Sequence, residues 1–158
     1  MKRLALLLLL ATLTGCGGSS TGGSGNVDKA AYIGKAEVIC TAAVAKQKAL
    51  KAPASVDALA PYVNDVVGVA VQATKDLSAL TPPAGDRAAL QEKFLGPLQA
   101  QAKDADRYAA DVTAASKQND QAALGRLALS PPTKPKADLD YLRKYGFTSC
   151  VDAADTSN

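Results

Sequence analysis

Residues 59–80 read LAPYVNDVVGVAVQATKDLSAL and carry the clearest helical period of the chain. Apolar residues recur there at alternating spacings of four and three, which is the pattern of an amphipathic helix that packs along one face. A helix is predicted from about Ser55 to Leu80, with Pro61 either kinking it or marking its true first turn. The inward stripe is expected to consist of Leu59, Val63, Val66, Ala70, Ala73, Leu77 and Leu80.

Two further amphipathic helices flank this stretch. The first is predicted over about residues 28–51, with Asp28 as its N-cap. The second is predicted over about residues 87–117, with Asp86 as its N-cap and a bend at Gly96-Pro97. The expected inward residues are Tyr32, Ala36, Ile39, Cys40, Ala43 and Leu50 in the first, and Leu90, Phe94, Leu98, Ala102, Ala105, Ala109 and Val112 in the second.

Proline interrupts the C-terminal part of the chain. A short helix is predicted over about residues 120–129, and the proline-rich residues 130–135 cannot continue it. A final helix is expected from residue 136 or 137 to Tyr145, with Gly146 left-handed after it and Phe147 folding back as the apolar contact. The expected fold class is therefore all-α, an antiparallel four-helix-type bundle whose last helix is split by the proline-rich break.

The N-terminus has the three zones of an export signal. Residues 2–3 are basic, residues 4–11 are an unbroken apolar run, and residues 13–16 read LTGC, which matches a lipobox. The apolar run is shorter than the roughly 20 residues that a spanning helix needs. We predict a lipoprotein signal peptide over residues 1–15 and a lipid-bearing Cys16. The alternative is a plain secretory signal that is cut nearby, with Cys16 as a bystander.

A glycine- and serine-rich segment follows the cysteine. Residues 17–26 read GGSSTGGSGN and contain no charge and no large apolar side chain. This composition predicts a flexible tether with a span of roughly 17 Å. The expected organisation is a leader (1–15), a lipidated cysteine with its tether (16–27) and a helical domain (28–158), displayed on the extracytoplasmic face of the cell membrane.

Two cysteines remain once Cys16 is lipidated. Cys40 and Cys150 form an even pair in an oxidising compartment, where a disulfide is the expected state. On the chain-entropy account, a loop of about 100 residues closed in this way contributes about 4.7 kcal/mol. The alternative is a pair of free or metal-binding thiols, but two sulfurs in a chain without histidine do not complete a zinc site.

Three segments show a resemblance to known proteins. YIGKAEVIC (32–40), LTPPAGD (80–86) and YGFTSC (145–150) resemble a group of small secreted lipoproteins of high-GC Gram-positive bacteria. The resemblance covers nearly the whole mature chain. It implies a small helical domain with a disulfide between its first helix and its C-terminus, and it implies no biochemical activity. The break at residues 130–135 departs from the smoother last helix of that group.

The residue content argues against most catalytic chemistry. The chain has no histidine, which removes hydrolases of the usual triad type and most catalytic zinc sites. Asp104 with Asp106, and Asp138 with Asp140, are spaced so that the paired carboxylates point apart on a helix. Sixteen basic and fifteen acidic residues follow the leader, so the mature chain is nearly neutral. We expect no cofactor, no metal and no nucleic-acid partner.

Three functional classes remain open. The first is a non-enzymatic binding or structural module of the cell envelope, whose partners are the membrane, through Cys16, and an unknown envelope protein. The second is a carrier of a small apolar ligand, lipid or haem-like, between the helices. An enzyme is the third. An exposed apolar patch would favour the first class and an enclosed cavity the second. The tyrosines that could ligate haem iron are Tyr32, Tyr62, Tyr108, Tyr141 and Tyr145.

Overall fold

A computed structural model describes residues 27–133 and 135–155. All secondary-structure elements in this part of the chain are helices, joined by turns and loops. The all-α prediction is therefore confirmed. The five residues Gln91–Leu95 form a π-helical turn that joins two of the helices into one continuous rod. The helices are α1 (Lys29–Ala49), α2 (Leu59–Ala79), α3 (Arg87–Leu90), α4 (Gly96–Lys117), α5 (Gln121–Leu129), α6 (Leu139–Tyr145) and α7 (Ser149–Asp155). The predicted leader, Cys16 and the Gly/Ser tether lie outside the described residues.

Local capping explains several helix ends. The side chains of Asp28 and Asp120 accept hydrogen bonds from the first-turn amides of α1 and α5, as an N-cap requires. Gly146 has a φ of 116°, and the Phe147 amide donates back to the Leu142 carbonyl at 3.0 Å. This is the predicted glycine-terminated helix end, with Phe147 folded onto the core.

Other predicted helix starts are wrong by a few residues. α2 begins at Leu59 rather than near Ser55, so Pro61 lies in its first turn, where a missing N–H removes no helical hydrogen bond. α6 begins at Leu139 because Asp138 caps it, accepting from the Tyr141 amide at 2.9 Å. Asp86 precedes α3 but makes no capping hydrogen bond, because its carboxylate binds another side chain. The predicted Asp86 cap is therefore wrong.

α2 and α4 run antiparallel and pack along their length. Asn64 donates to Thr113 near one end of the pair, and Gln99 donates to Ser78 near the other. α1 packs against α2 and α7, α5 packs against α4, and α6 packs against α7. The shorter helices α5 and α7 therefore pack on the longer ones.

The buried residues gather at two ends of the molecule. The larger cluster joins the start of α1, the end of α2, the α3–α4 junction, α6 and α7, and it contains the largest buried side chains, among them Tyr32, Phe94 and Leu142. The other end is built mostly from alanine and valine of α2 and α4, with Leu124 of α5. α5 and α6 therefore lie against different clusters, at opposite ends of the α2–α4 pair.

The inward face of α2 differs in part from the predicted stripe. Leu77 is buried as expected, but the other buried residues of α2 are Ala60 and Val67, neither of which was in the stripe. A straight helix drifts by roughly 20° per heptad from a strict seven-residue pattern, and α2 is contacted by both α1 and α4. α2 therefore buries a wider surface than the single predicted stripe. The stripe of α3 and α4 is confirmed at Leu90, Phe94, Ala105, Ala109 and Val112.

Leu77→Ala is expected to lower the free energy of unfolding by about 2 to 5 kcal/mol, because a side chain only 3% exposed would leave a cavity in the larger cluster. Lys75→Ala is the matched control, since Lys75 is exposed on the same helix and surface changes usually stay within about 0.5 kcal/mol. Urea denaturation of both variants measures the difference. Equal losses would show that α2 packs through another face.

Candidate functional site

A disulfide joins α1 to α7. Cys40 and Cys150 are bonded at an S–S distance of 2.07 Å, with their Cα atoms 5.0 Å apart and 110 positions apart in sequence. The predicted pairing is confirmed, and the alternative of two free or metal-binding thiols is wrong. Both cysteines are almost completely buried in the larger cluster. The bond therefore fixes the C-terminal segment to the first helix within the core.

Glu37 of α1 caps the N-terminus of α7. Its carboxylate accepts from the backbone amides of Thr148 at 3.0 Å, Ser149 at 2.7 Å and Cys150 at 3.3 Å. These are orphan amides of the first turn, which attract negative charge. Partial burial alone would raise the pKa of Glu37, but the hydrogen bonds from residues 148–150 outweigh it and hold the pKa below its ordinary value. Neither α7 nor the role of Glu37 was predicted from the sequence.

The π-helical turn provides a second attachment for the C-terminal segment. Pro97 has no N–H to donate to the Lys93 carbonyl four residues earlier, and that carbonyl accepts the Asp138 amide at 2.9 Å. The Lys93 ammonium lies 3.7 Å from the Asp138 carboxylate and 4.9 Å from the ring centre of Tyr141. A Cβ at Gly96 would lie 2.7 Å from the Gln91 carbonyl oxygen, so glycine is required at the turn.

An aromatic cluster fills the space beneath these attachments. The Phe147 ring lies 5.2 Å from Phe94, 5.3 Å from Tyr145 and 6.2 Å from Tyr32, measured between centroids. The Tyr145 hydroxyl donates to Asp86 at 2.7 Å, and burial together with this bond raises the pKa of Tyr145 well above its ordinary value. The Tyr32 hydroxyl is buried and has no hydrogen-bond partner among the described residues.

Four of the five tyrosines are divided between two clusters, three of them together in or against the larger one. Tyr32, Tyr141 and Tyr145 lie in or against the larger cluster, whereas Tyr108 packs at the other end and donates to the Leu127 carbonyl at 3.2 Å. Burial raises the pKa of Tyr32, Tyr141 and Tyr145 above the ordinary value of a tyrosine. A raised pKa disfavours the phenolate form that would bind iron.

A cavity of about 70 Å³ lies beside the disulfide, among α1, α2, α4 and α7. Pockets for small molecules are usually about 300 to 1,000 Å³, so this space is far too small for a lipid chain or a haem. The larger spaces are open surface grooves, and the two largest of them, of about 690 and 540 Å³, lie between α2 and α4. Both grooves are lined chiefly by small, polar and charged side chains.

Three of the four aspartates in the two predicted pairs each have a separate interaction within their own helix. Asp104 pairs with Arg107 at 3.0 Å and Asp140 with Arg143 at 3.1 Å, each within its own helix, while Asp138 caps α6. Within residues 27–133 and 135–155, no group of three or more potential metal-ligating side chains comes together. None of the helices in the same part of the chain has the length and apolar character needed to cross a membrane.

The exposed large apolar side chains lie on three separate segments. They are Val38 on α1, Val56 between α1 and α2, and Leu129 at the end of α5.

No protein-family model matches this sequence, and no curated protein or solved structure is significantly similar to it.

The Cys40→Ala/Cys150→Ala double variant is expected to lose about 2 to 5 kcal/mol of stability, because the large loop is no longer closed. Its helical circular dichroism should mostly survive, since alanine-rich helices have high intrinsic propensity. Hydrogen exchange should rise first after Pro135 and only later in α2. A non-reduced tryptic digest in which the Cys40 peptide is not linked to the Cys150 peptide would contradict the pairing.

Glu37→Gln is expected to lower the free energy of unfolding by about 0.5 to 2 kcal/mol at neutral pH, as loss of a helix cap does. The pKa of Glu37 is lower in the folded chain than in the unfolded chain. Its stabilising contribution is therefore complete above the ordinary glutamate pKa and is lost as pH falls through the folded-state value. Urea denaturation from neutral to acidic pH measures how the gap between wild type and variant closes.

Glu92→Gln is the control for this titration. Glu92 is the only other glutamate of the chain, and its side chain is exposed on the π-helical turn. Its replacement should change stability by no more than about 0.5 kcal/mol at any of these pH values. A gap at Glu37 that stays constant down to acidic pH would contradict the charged cap.

Proposed function

We propose that the protein is a lipid-anchored extracytoplasmic lipoprotein whose helical domain is a non-enzymatic binding or structural module of the cell envelope. The observation that carries the proposal is the Cys40–Cys150 disulfide, because such bonds persist in oxidising compartments outside the cytoplasm. The LTGC segment at residues 13–16 supplies the anchoring chemistry, and the Gly/Ser segment separates the anchor from the domain. The resemblance to secreted lipoproteins of high-GC Gram-positive bacteria agrees with this.

We propose further that the domain is an antiparallel bundle in which residues 120–155 are a divided fourth member. The antiparallel pairing of α2 with α4 supports this arrangement, as do the positions of α5 at one end and of α6 and α7 at the other. Asp138, which precedes α6, is held in place because its amide donates to the Lys93 carbonyl. Such a domain presents outward helix faces to a partner.

The carrier of a small apolar ligand has weaker support. The space between the helices is about 70 Å³, which would require the core to open before a lipid or haem-like molecule could enter. The disulfide and the Glu37 cap both oppose such opening, because they hold α7 against α1 beside that space. Binding through the outer surface needs no comparable change.

Cys16→Ser is expected to abolish membrane retention when the full-length chain is expressed in a bacterium that processes lipoproteins. The variant should accumulate as precursor or appear in the medium, because the hydroxyl of serine does not replace the thiol that carries the lipid. Detergent phase separation and intact-mass measurement follow the protein. Ser20→Ala in the Gly/Ser segment is the control and should behave as wild type. Mature, detergent-phase Cys16→Ser protein would contradict the anchor.

A further inference from the structure

The outer face of α1 is basic, and no other described part of the chain covers it. From Lys29 to Lys51 the sequence has five lysines and one acidic residue, Glu37. The Glu37 carboxylate is directed to the N-terminus of α7 and so is not on this face. The exposed lysines beyond the first turn of the helix are Lys35, Lys46, Lys48 and Lys51.

These lysines border a small apolar surface. Residues three and four apart share a face of a helix, and Val38, which is 70% exposed, lies near the middle of the outward face. At 3.6 residues per turn, Lys35 and Lys46 fall along one edge of this face and Lys48 along the other. None of the three lysines forms an ion pair with a carboxylate in the described part of the chain. The exposed alanines on this face are Ala31, Ala42, Ala45 and Ala49.

The attachment point lies at the start of the same helix. Val27, the first described residue, packs against the larger core cluster just before α1. Cys16 precedes it by eleven positions, and a Gly/Ser coil of that length spans roughly 18 Å. A lipid on Cys16 therefore keeps the start of α1 close to the membrane. The helix, about 31 Å long, can then lie flat on the surface.

We propose that the outer face of α1 docks on anionic phospholipid headgroups of the membrane that holds Cys16. This inference rests on the proposed lipid anchor. Each lysine near an anionic surface favours binding by roughly fivefold, the equivalent of about 1 kcal/mol. The lysine stems can lie along Val38 and the alanines while their ammonium groups reach the phosphates. A second copy of the chain fits this face less well, because it would bring the lysine edges together.

The direct test uses the mature chain, residues 16–158, with the disulfide intact so that Cys16 is its free thiol. Cys16 is coupled to a maleimide lipid in vesicles of phosphatidylcholine, with or without phosphatidylglycerol. An amine-reactive ester then labels the lysines, and mass spectrometry reads the rate at each one. Labelling of Lys35, Lys46 and Lys48 should slow on the anionic vesicles only. The exposed lysines of α2 and α4, Lys75, Lys103 and Lys117, should be labelled at equal rates on both.

Two matched triple variants test the energetics with the unlipidated Cys16→Ser chain. Lys35→Gln/Lys46→Gln/Lys48→Gln removes three charges from α1 and should weaken flotation with phosphatidylglycerol vesicles by about 100-fold. Lys75→Gln/Lys103→Gln/Lys117→Gln removes the same charge from the α2–α4 face and should change it by less than about fivefold. Circular dichroism checks that both variants fold, since glutamine and lysine have similar helix propensities.

Equal losses in the two triple variants would overturn the proposal, because binding would then follow net charge alone. Protection of α1 on neutral vesicles as well would also overturn it, since contact between neighbouring copies would explain the labelling. The chemically coupled chain makes these results independent of processing in cells. Failure of the Cys16→Ser fractionation experiment therefore concerns the proposed lipid anchor, and failure here concerns only the face of α1.

Discussion

The attachment of α7 to α1 is the constraint on which the rest of the domain depends. A chain whose apolar content is largely alanine buries little area per residue, and six of its buried core residues are alanines. The larger side chains are concentrated at one end, where Cys40 is bonded to Cys150 and Glu37 caps the first turn of α7. The covalent bond restricts the conformations of the unfolded chain. The Glu37 carboxylate binds the first amides of α7 and so holds the N-terminus of α7 against α1. Together they cover a core that α1, α2 and α4 leave open on this side.

Some backbone groups that have no hydrogen-bond partner in their own helix are bonded by residues far away in the sequence. Pro97 leaves the Lys93 carbonyl without an amide at the usual helical position, and the amide of Asp138 occupies it. The first amides of α7 likewise find Glu37, more than 110 positions away. In each case a backbone group that lacks a partner in its own helix is hydrogen-bonded once the C-terminal segment is docked. The same segment would lose several partners at once if it detached, so these contacts act cooperatively.

This pattern explains which features were predictable from the sequence. The long helices, the cap at Asp28 and the turn at Gly146 depend on neighbouring residues, and each was predicted. The disulfide followed from the cysteine count. α7 was missed because its cap comes from α1, and Asp86 was misassigned because its carboxylate binds Tyr145 instead of its own helix. The stripe of α2 was only partly right because two helices cover it. Of the candidate site, the cysteine pair was predicted, but the Glu37 cap depends on two segments more than 110 positions apart that only the fold brings together.

α1 therefore has different chemistry on its two faces. Its inner face carries Tyr32, Ala36 and Cys40 into the core, and its flank gives Glu37 to α7. Because the only carboxylate of the helix is directed to the N-terminus of α7, no acidic side chain of α1 lies among the outer lysines. Val27, which precedes α1, packs against the same cluster that contains the disulfide, so the start of α1 belongs to the most strongly held part of the described domain.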